Sequence, residues 1–217
     1  MPAKPIPLVV LAGVGATLGA VAVFAKLSEE ILEGQSLALD TAGVALARRL
    51  RSPLADRVLS LVTATGEPWA LCSACVPVGL YWLRQGRRSD VVVLGLALGG
   101  SGVVNQVLKH FFHRDRPALQ LRRAHASGYS FPSGHAMMTL SVYGTMVALT
   151  LRHALLTKQA GAALPLPPVA LLCLAVGWSR VYFEVHYPTD VLGAWAAGTA
   201  WLTTCALARS GMEPEES

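Results

Sequence analysis

Six apolar stretches alternate with short polar segments along the 217-residue chain. A helix that crosses a bilayer needs about 20 predominantly apolar residues, and most of the stretches approach that length. They predict six membrane-spanning helices, at residues 5–25, 69–83, 91–108, 133–151, 169–181 and 189–207. The pattern therefore predicts an all-α integral membrane bundle, organised as a single domain over residues 1–217.

The first apolar stretch lies between Lys4 and Lys26 and has two interpretations. It could be a retained membrane span, or it could be a signal peptide that is cleaved near residues 20–22. The stretch is longer than the apolar region of a typical signal peptide, which favours a retained span.

Residues 27–61 differ from the stretches on either side, because charged side chains are distributed among regularly spaced leucines. Leu39, Leu46 and Leu50 recur at helical spacing, which predicts one or two amphipathic helices with a break near Ser52. We expect this segment to lie in the membrane interface between spans one and two. The alternative is an ordinary extramembrane helix, and both interpretations place the segment outside the hydrocarbon.

The composition agrees with a membrane protein. Hydrophobic residues make up 53% of the chain and charged residues only 14%, and the mean hydropathy is +0.47. The net charge of +5 could indicate nucleic acid binding. However, the basic residues flank the apolar stretches and are not interleaved with aromatic residues. We therefore expect a lipid bilayer, and no nucleic acid, as the partner of this chain.

Four cysteines are present, and Cys72 and Cys75 form a C-x-x-C pair. The pair lies inside an apolar stretch, with no second pair and no clustered histidines, so it does not have the pattern of a zinc or redox site. We expect the cysteines to be small buried packing residues. Neither an H-E-x-x-H sequence nor a paired-acid set occurs, so we expect no metal and no cofactor.

An even number of spans places both chain termini on one side of the membrane. The loops after spans three and five then lie together on the opposite side. Arg84, Arg87 and Arg88 occupy the short loop after span two, on the side of the termini. Because basic residues in short loops favour the cytoplasm, we expect cytoplasmic termini in a bacterial-type plasma (inner) membrane. The opposite loops, and any site that they form, are then external.

A polar turn, Pro132-Ser133-Gly134-His135, opens the fourth span. Ser133 is a suitable helix N-cap, and Gly134 allows a ligand to approach the backbone closely. The first N–H groups of a helix have no internal partner, so such a turn suits an oxyanion such as phosphate. Taken alone, the same turn could simply cap an ordinary helix.

Other polar residues flank the same ends of the predicted spans. Lys109 and Arg116 follow span three, Arg180 ends span five, and His186 and Asp190 flank the start of span six. Helix counting brings all of them to the membrane surface that carries the polar turn. Any one cation could be a basic residue snorkelling at a span end. Three cations together would repel one another without an anion, so their convergence indicates an anionic ligand.

Three motifs can be written from these residues: Lys109-x6-Arg116-Pro117, Pro132-Ser133-Gly134-His135 and Ser179-Arg180-x5-His186-x3-Asp190. Their order and spacing resemble the type 2 phosphatidic acid phosphatase (PAP2) superfamily of membrane lipid phosphatases, over roughly residues 90–205. The resemblance implies a metal-independent enzyme that hydrolyses a lipid phosphomonoester or lipid pyrophosphate. Phosphatidic acid, phosphatidylglycerol phosphate, diacylglycerol pyrophosphate and undecaprenyl pyrophosphate all remain open as substrates.

The resemblance also implies a role for each motif residue. His186 is expected to be the nucleophile that forms a phosphohistidine, and His135 the general acid. From the residues alone either histidine suits either role, and Asp190, one helical turn from His186, is the feature that distinguishes them. The expected phosphate-binding residues are Lys109, Arg116, Ser133, Gly134 and Arg180.

Three other functions are compatible with part of the pattern. A phosphotransferase could pass the same phosphoryl group to a lipid or sugar acceptor. A lipid-phosphate binding or transport protein could use the cations without turnover, although it would not need the histidines. Vanadium haloperoxidases share the anion cradle but are soluble, which the apolar stretches contradict. His110, His113, His125, Arg122 and Arg123 are expected to be peripheral, and Glu184 has no assigned role.

Overall fold

The computed structural model describes residues 8–34, 38–117, 124, 126–158 and 165–210. Within these ranges the chain forms eight α-helices and no strand, which confirms the all-α prediction. The helices are α1 (Leu8–Leu32), α2 (Ala38–Arg49), α3 (Pro53–Ala64), α4 (Pro68–Arg84), α5 (Arg88–Phe112), α6 (Gly134–Leu156), α7 (Leu166–Tyr182) and α8 (Pro188–Ser210). Predicted spans one to six coincide with α1 and with α4 to α8.

Three of the described helices are long and apolar enough to cross a membrane by themselves. They cover Leu11–Leu32 in α1, Arg88–Phe112 in α5 and Pro188–Arg209 in α8. α7 is also apolar but has only 17 residues. Large apolar side chains are exposed on the outside of these helices, for example Val103 at 64%. Such a surface is typical of an integral membrane protein and not of a soluble one.

α1 continues beyond the predicted end of the first span. Residues 27–32 are helical, although the sequence pattern assigned them to the amphipathic segment. Lys26 lies 3.2 Å from Glu29 and 3.8 Å from Glu30, and ion pairs at these spacings support a continuous helix. Gly34, with φ of +67°, follows the helix end. The prediction that the amphipathic segment begins at residue 27 is therefore wrong.

The predicted break in the amphipathic segment is present and separates α2 from α3. Ser52 is the N-cap of α3, and its side chain accepts a hydrogen bond from the N–H of Ala55 at 3.1 Å. Pro53 is the first helical residue, where its missing N–H and fixed φ are tolerated. α2 packs against α7 and α8, and α3 packs against α7.

α6 and α8 pack against each other at the centre of the bundle, with α5 and α7 beside α6 and α1 beside α8. Apolar side chains from α4, α5, α6 and α8 fill the core on the side away from the polar loops. The buried members of this cluster are Leu71, Trp82, Val93, Leu94, Ala97, Val142, Leu149 and Cys205. The packing therefore holds the helix ends that carry the motifs in fixed relative positions.

The small residues of α4 and α5 are not all packed against a neighbouring helix. Nothing lies within 4 Å of a Cβ placed at Gly95 or Gly99. At Gly100 and Gly102 a neighbouring helix is that close, and a Cβ at Gly100 would overlap the ring of Trp201. Cys72 is exposed, so the prediction that it is buried is wrong. Hydropathy could not distinguish the lipid-facing side of these helices from the packed side.

A buried ionic cluster closes the end of the bundle opposite the motifs. Asp90 is buried and lies 2.6 Å from Arg87 Nε and 2.5 Å from Arg209 Nε. Arg209 lies in the last turn of α8 and is held by this contact. Residues 211–217 lie outside the described part of the chain.

Candidate active site

Six of the eight predicted site residues line one cavity of about 650 Å³. The cavity lies between the start of α4, the last turns of α5, the start of α6 and the end of α7. The six residues are Lys109, Arg116, Gly134, His135, Arg180 and His186. Ser133 and Asp190 are fully buried directly behind the cavity wall. The structure thus brings together residues that are spread over more than 80 positions of sequence.

His186 lies between two partners of opposite charge. Its Nδ1 is 3.2 Å from Asp190 Oδ2, and its Nε2 is 3.0 Å from Arg116 Nη1. Because a carboxylate accepts and a guanidinium donates, this network assigns the proton to Nδ1 and a lone pair to Nε2. Asp190 Oδ2 also accepts the N–H of Tyr187 at 2.9 Å, which fixes the carboxylate. Nε2 therefore carries the lone pair of the ring, which accepts the hydrogen bond from Arg116.

Lys109 and Arg116 are held by backbone carbonyls of the loop before α6. Lys109 Nζ donates to the carbonyls of Tyr129 and Ser130 at 2.6 and 3.3 Å. Arg116 donates from Nε to the Gly128 carbonyl at 2.9 Å and uses its other nitrogens on further carbonyls. These carbonyls fix both cationic groups at the edge of the cavity, where a positive charge favours an anion.

Three buried polar atoms of the predicted site residues have no hydrogen-bond partner among the described residues. They are Arg180 Nε, Ser133 Oγ and His135 Nε2. Arg180 is only 4% exposed and is anchored through Nη1, which donates to Thr63 Oγ1 at 2.8 Å. Buried polar groups are nearly always paired, so unpaired atoms beside cations are consistent with an anion-binding site.

Ser133 does not cap α6 as the sequence predicted. It occupies the N-cap position, but its side chain makes no capping hydrogen bond. Its backbone N–H donates to the carbonyl of Asp190 at 3.0 Å, which ties the start of α6 to the start of α8. Gly134 follows, and a Cβ there would lie 3.0 Å from Asn105 Oδ1. The turn is therefore shaped by contacts between helices and not by a local cap.

His135 faces a carboxylate that the sequence analysis did not single out. Its Nε2 lies 3.1 Å from Oε1 of Glu67, in the turn between α3 and α4. Gly66 allows this approach, because a Cβ there would lie 2.8 Å from Thr139 Oγ1 and 3.3 Å from His135 Cδ2. The contact with Glu67 does not have hydrogen-bond geometry, so His186 and Asp190 form the oriented histidine–carboxylate pair of the site.

Residues 90–211 match the family model of the PAP2 superfamily, which is more than half of the chain. The chain belongs to the PAP2 superfamily. The family predicted from the three motifs is thereby confirmed, and with it the prediction that the chain is a phosphatase.

Several PAP2 proteins are similar to this chain in sequence. Phosphatidylglycerophosphatase B of Bacillus subtilis is 31% identical over 150 residues, covering 69% of this chain and 72% of the relative. A putative undecaprenyl-diphosphatase of Escherichia coli is 31% identical over 160 residues, covering 65% and 75%. Mouse glucose-6-phosphatase 3 is 30% identical over 187 residues, covering 75% of this chain but only 52% of the relative.

Two solved structures share the fold. The transmembrane PAP2-type phosphatidylglycerolphosphate phosphatase from Bacillus subtilis has a TM-score of 0.80 at 25% identity, covering 92% of this chain and 98% of that one. LpxE from Aquifex aeolicus has a TM-score of 0.57 at 23% identity, covering 81% and 97%. The chain is therefore an integral membrane protein with the architecture of a PAP2 phosphatase.

Two polar residues in or beside the motifs of this PAP2 protein have roles that the sequence did not predict. Arg114 lies between the motif residues Lys109 and Arg116 and contacts Asp190 and Asp40. Glu184 lies inside the third motif, is fully buried, and forms ion pairs with two arginines of the α2–α3 segment. Each resembled a solvated charge in sequence, and the only signal was its position inside or beside a motif.

The other predicted residues lie around the cavity rather than in it, with one exception. His110 lines the cavity although it was expected to be peripheral, and its Nδ1 lies 2.7 Å from the Gln106 carbonyl. His113 ends α5 with φ of +48° and packs on Tyr129, with 4.5 Å between ring centres. The residues expected at the periphery that lie outside the described part of the chain are Arg122, Arg123 and His125.

The electrostatic environment favours the neutral form of His186. The residue lies between α7 and α8 and is 2% exposed. Burial lowers the pKa of His186 well below its ordinary value, and the positive charge of Arg116 lowers it further. An unprotonated imidazole at neutral pH is the form that can act as a nucleophile.

Replacing His186 with glutamine should change how stability depends on pH. The pKa of His186 is depressed in the folded protein and returns to about 6.5 in the unfolded chain. Below that pH the unfolded chain binds a proton that the folded protein does not, so stability falls by up to about 1.4 kcal/mol per pH unit. We expect the unfolding free energy to decrease more steeply in wild type than in His186→Gln as the pH falls from about 7 to about 5. Equal slopes would show that His186 is not held neutral.

Proposed function

We propose that this chain hydrolyses a lipid phosphomonoester or lipid pyrophosphate, without a metal ion, through a phosphohistidine on His186. The observation that carries the proposal is the contact between His186 Nδ1 and Asp190, which leaves Nε2 directed at a cavity lined by cations. A binding protein would need the cations alone. A buried, carboxylate-oriented imidazole next to a phosphate site favours covalent catalysis.

The reaction proceeds in two displacements. His186 Nε2 attacks phosphorus, the bond from phosphorus to the leaving oxygen breaks, and His135 gives that oxygen a proton. Water then attacks the phosphohistidine, His135 takes the proton from the water, and the bond from Nε2 to phosphorus breaks. The products are the dephosphorylated lipid and inorganic phosphate, and both histidines return to their starting state.

The remaining motif residues stabilise the negative charge on the transferring phosphoryl group. Charge on the equatorial oxygens is the main target for a protein that catalyses phosphoryl transfer. Arg180 Nε and Ser133 Oγ have unused donors, and the N–H of Gly134 lies at the start of α6. Lys109 and Arg116 add two positive charges held on neutral carbonyls. These groups form the cradle, and Arg116 Nη1 exchanges its contact with His186 Nε2 for the phosphoryl oxygens when substrate binds.

The surface of α2 and α3 supports contact with lipid, because several leucines are exposed there. Leu46 of α2 is 47% exposed and Leu50, which follows α2, is 52% exposed, while Asp40 is buried. On α3, Leu54 and Leu61 are 73% and 69% exposed. A helix pair in water would turn the leucines inward and the charges outward. We infer that this pair lies in the membrane interface, with its apolar side towards the lipid.

The helix lengths and exposed faces support six membrane spans. α4 and α7 have 17 residues each, at the lower limit for crossing a bilayer. Both expose apolar side chains to the outside, such as Val76 at 60% and Leu171 at 67%. With six spans the site and both termini lie on opposite sides. We propose cytoplasmic termini and an external site in a plasma (inner) membrane, on the basis of the exposed Arg84 and Arg88.

The relatives and the cavity together favour a lipid substrate. The named activities of two relatives concern phosphatidylglycerol phosphate and undecaprenyl diphosphate. The cavity is larger than a phosphate group needs, and its wall continues to Pro68, Gly102 and Met138. These apolar and small residues suit the first carbons of a lipid, while the cations bind its phosphate.

Phosphate release by the purified protein in detergent, with EDTA present, tests this proposal. The substrates are phosphatidic acid, phosphatidylglycerol phosphate, farnesyl pyrophosphate and, as a soluble comparison, glucose 6-phosphate. We expect EDTA-resistant release from at least one lipid and much slower release from glucose 6-phosphate. Release that requires a divalent metal would contradict the mechanism. Preference for glucose 6-phosphate would contradict the lipid assignment.

A further inference from the structure

Arg114 connects the carboxylate partner of His186 to the α2 helix. Its Nη1 donates to Asp190 Oδ1 at 2.5 Å, and its Nη2 donates to Asp40 Oδ2 at 2.6 Å. All three side chains are largely buried, with exposures of 14% for Arg114, 0% for Asp190 and 8% for Asp40. The guanidinium therefore bridges two carboxylates away from water, where such charge-assisted hydrogen bonds are strongest.

Thr189 and Tyr187 complete the surroundings of this bridge. The backbone N–H of Thr189 donates to Asp40 Oδ1 at 2.9 Å, and Thr189 Oγ1 accepts from Arg114 Nη1 at 2.7 Å. The Arg114 guanidinium also lies over the Tyr187 ring, 4.5 Å from its centre. Arg114 is thus fixed on several sides, and it does not line the cavity that would hold substrate.

The two carboxylate oxygens of Asp190 have different partners. Oδ1 is held by Arg114, and Oδ2 receives the contacts from His186 Nδ1 and the Tyr187 N–H. Without Arg114, Asp190 would be a fully buried carboxylate with one oxygen lacking its charged partner. Such a group would rotate or take up a proton, and either change weakens its contact with His186.

We propose that Arg114, anchored by Asp40, is a positioning residue that holds Asp190 against His186, which makes α2 part of the active-site assembly. The inference rests on the proposed role of His186 as nucleophile. Asp40 lies outside residues 90–211, so the family match does not include it. The active-site assembly therefore includes a buried carboxylate from the N-terminal part of the chain.

The contact matters most when His186 is phosphorylated. As Nε2 bonds to phosphorus, the imidazole gains positive charge, and Asp190 stabilises that charge through Nδ1–H. A displaced Asp190 weakens this stabilisation and no longer fixes the tautomer. Because substrate does not touch Arg114, its loss should lower kcat and leave KM nearly unchanged.

The opposite end of the bundle offers a matched control. Arg209 Nε lies 2.5 Å from Asp90 Oδ1, with side-chain exposures of 14% and 4%. This pair has the burial and the length of the contact between Arg114 and Asp190, but it is remote from the cavity. Arg209→Gln removes one buried ion pair and Arg114→Gln removes two, and only Arg114→Gln removes a contact to Asp190.

The experiment compares kcat, KM and thermal unfolding of Arg114→Gln, Arg209→Gln and Asp40→Asn with wild type, using dioctanoyl phosphatidic acid. We expect kcat to fall about 10- to 100-fold in Arg114→Gln, with KM within about threefold of wild type. Arg114→Lys should recover part of the loss. Asp40→Asn keeps the contact between Arg114 and Asp190, so its kcat should fall less than that of Arg114→Gln. This variant preserves the test if Arg114→Gln does not fold. Arg209→Gln should lose stability only.

A second measurement does not depend on turnover. A proton NMR signal downfield of the amide region reports the hydrogen bond from His186 Nδ1 to Asp190, and its absence in His186→Ala assigns it. We expect the signal in wild type and Arg209→Gln and not in Arg114→Gln. An unchanged signal, or equal kcat in the two arginine variants, would overturn the positioning role. A wild type that shows the signal but releases no phosphate would instead contradict the proposed function.

Discussion

Replacing His186 with alanine is expected to abolish phosphate release from every substrate. The variant lacks His186 Nε2, whose lone pair is placed by the hydrogen bond between Nδ1 and Asp190. The expected loss in kcat is on the order of 10⁴-fold, the scale associated with removal of a group that acts in a catalytic unit. The measurement is phosphate release in detergent, with size-exclusion chromatography and thermal unfolding to establish that the variant is folded.

His110→Ala is the matched control for this experiment. His110 lines the same cavity, but its imidazole contacts only the Gln106 carbonyl of its own helix among the hydrogen bonds described here. We expect its turnover to stay within a few-fold of wild type, because it contacts neither Asp190 nor Arg116. Substantial turnover by folded His186→Ala would exclude His186 as the nucleophile.

Replacing His135 with alanine should have an effect that depends on the leaving group. A lipid phosphomonoester expels an alkoxide that needs a proton, so we expect its turnover to fall about 10²- to 10⁴-fold. p-Nitrophenyl phosphate expels a weakly basic phenolate that needs none, so its first displacement should remain fast. The second displacement should be slow, because the base that activates water is missing. A rapid burst of one nitrophenolate per enzyme should therefore precede slow turnover.

His186→Ala serves as the comparison for the burst, since it should release no nitrophenolate at all. The two variants thus separate the nucleophile from the acid, a distinction that the residue types alone do not provide. An equal loss for lipid and nitrophenyl substrates in His135→Ala, without a burst, would contradict its role as general acid. A burst in His186→Ala would indicate that the two roles are reversed.

The positions of the helices followed from the sequence because hydropathy and length are local properties. Predicted spans two to five each lie within, or within one residue of, the helices found for them. The convergence of the motifs also followed, because successive spans alternate in direction and the motif residues all sit at ends of the same side. The end of α1 could not be predicted from hydropathy, because the ion pairs of Lys26 with Glu29 and Glu30 continue the helix through charged residues.

The contacts that orient the site residues did not follow from the sequence. Asp40 and Arg114 are 74 residues apart, and neither periodicity nor motif spacing links them. Asp40 looked like part of a solvated face because a helix with leucines and charges is ordinarily read with its charges outward. In this structure Asp40 of α2 turns inward and meets Arg114, and Arg48 meets Glu184, while Arg49 stays exposed.

The arginines that indicate the orientation of the chain in the membrane differ in their contacts, which the sequence does not reveal. Arg87 counts as a loop charge in the sequence, but it is paired with buried Asp90 and donates to the Leu149 carbonyl at 3.0 Å. It therefore has a structural role that would hold on either side of the membrane. The exposed Arg84 and Arg88 are therefore the residues that favour a cytoplasmic position of this loop.

The covalent intermediate on His186 is the central claim, and trapping it tests that claim most directly. His135→Ala is mixed with p-nitrophenyl phosphate, quenched in alkali during the burst, and digested for mass spectrometry at alkaline pH, where phosphohistidine survives. We expect one phosphate per chain, located on His186 and removed by brief acid treatment. A burst without a phosphorylated His186 peptide, or phosphate on another residue, would contradict it.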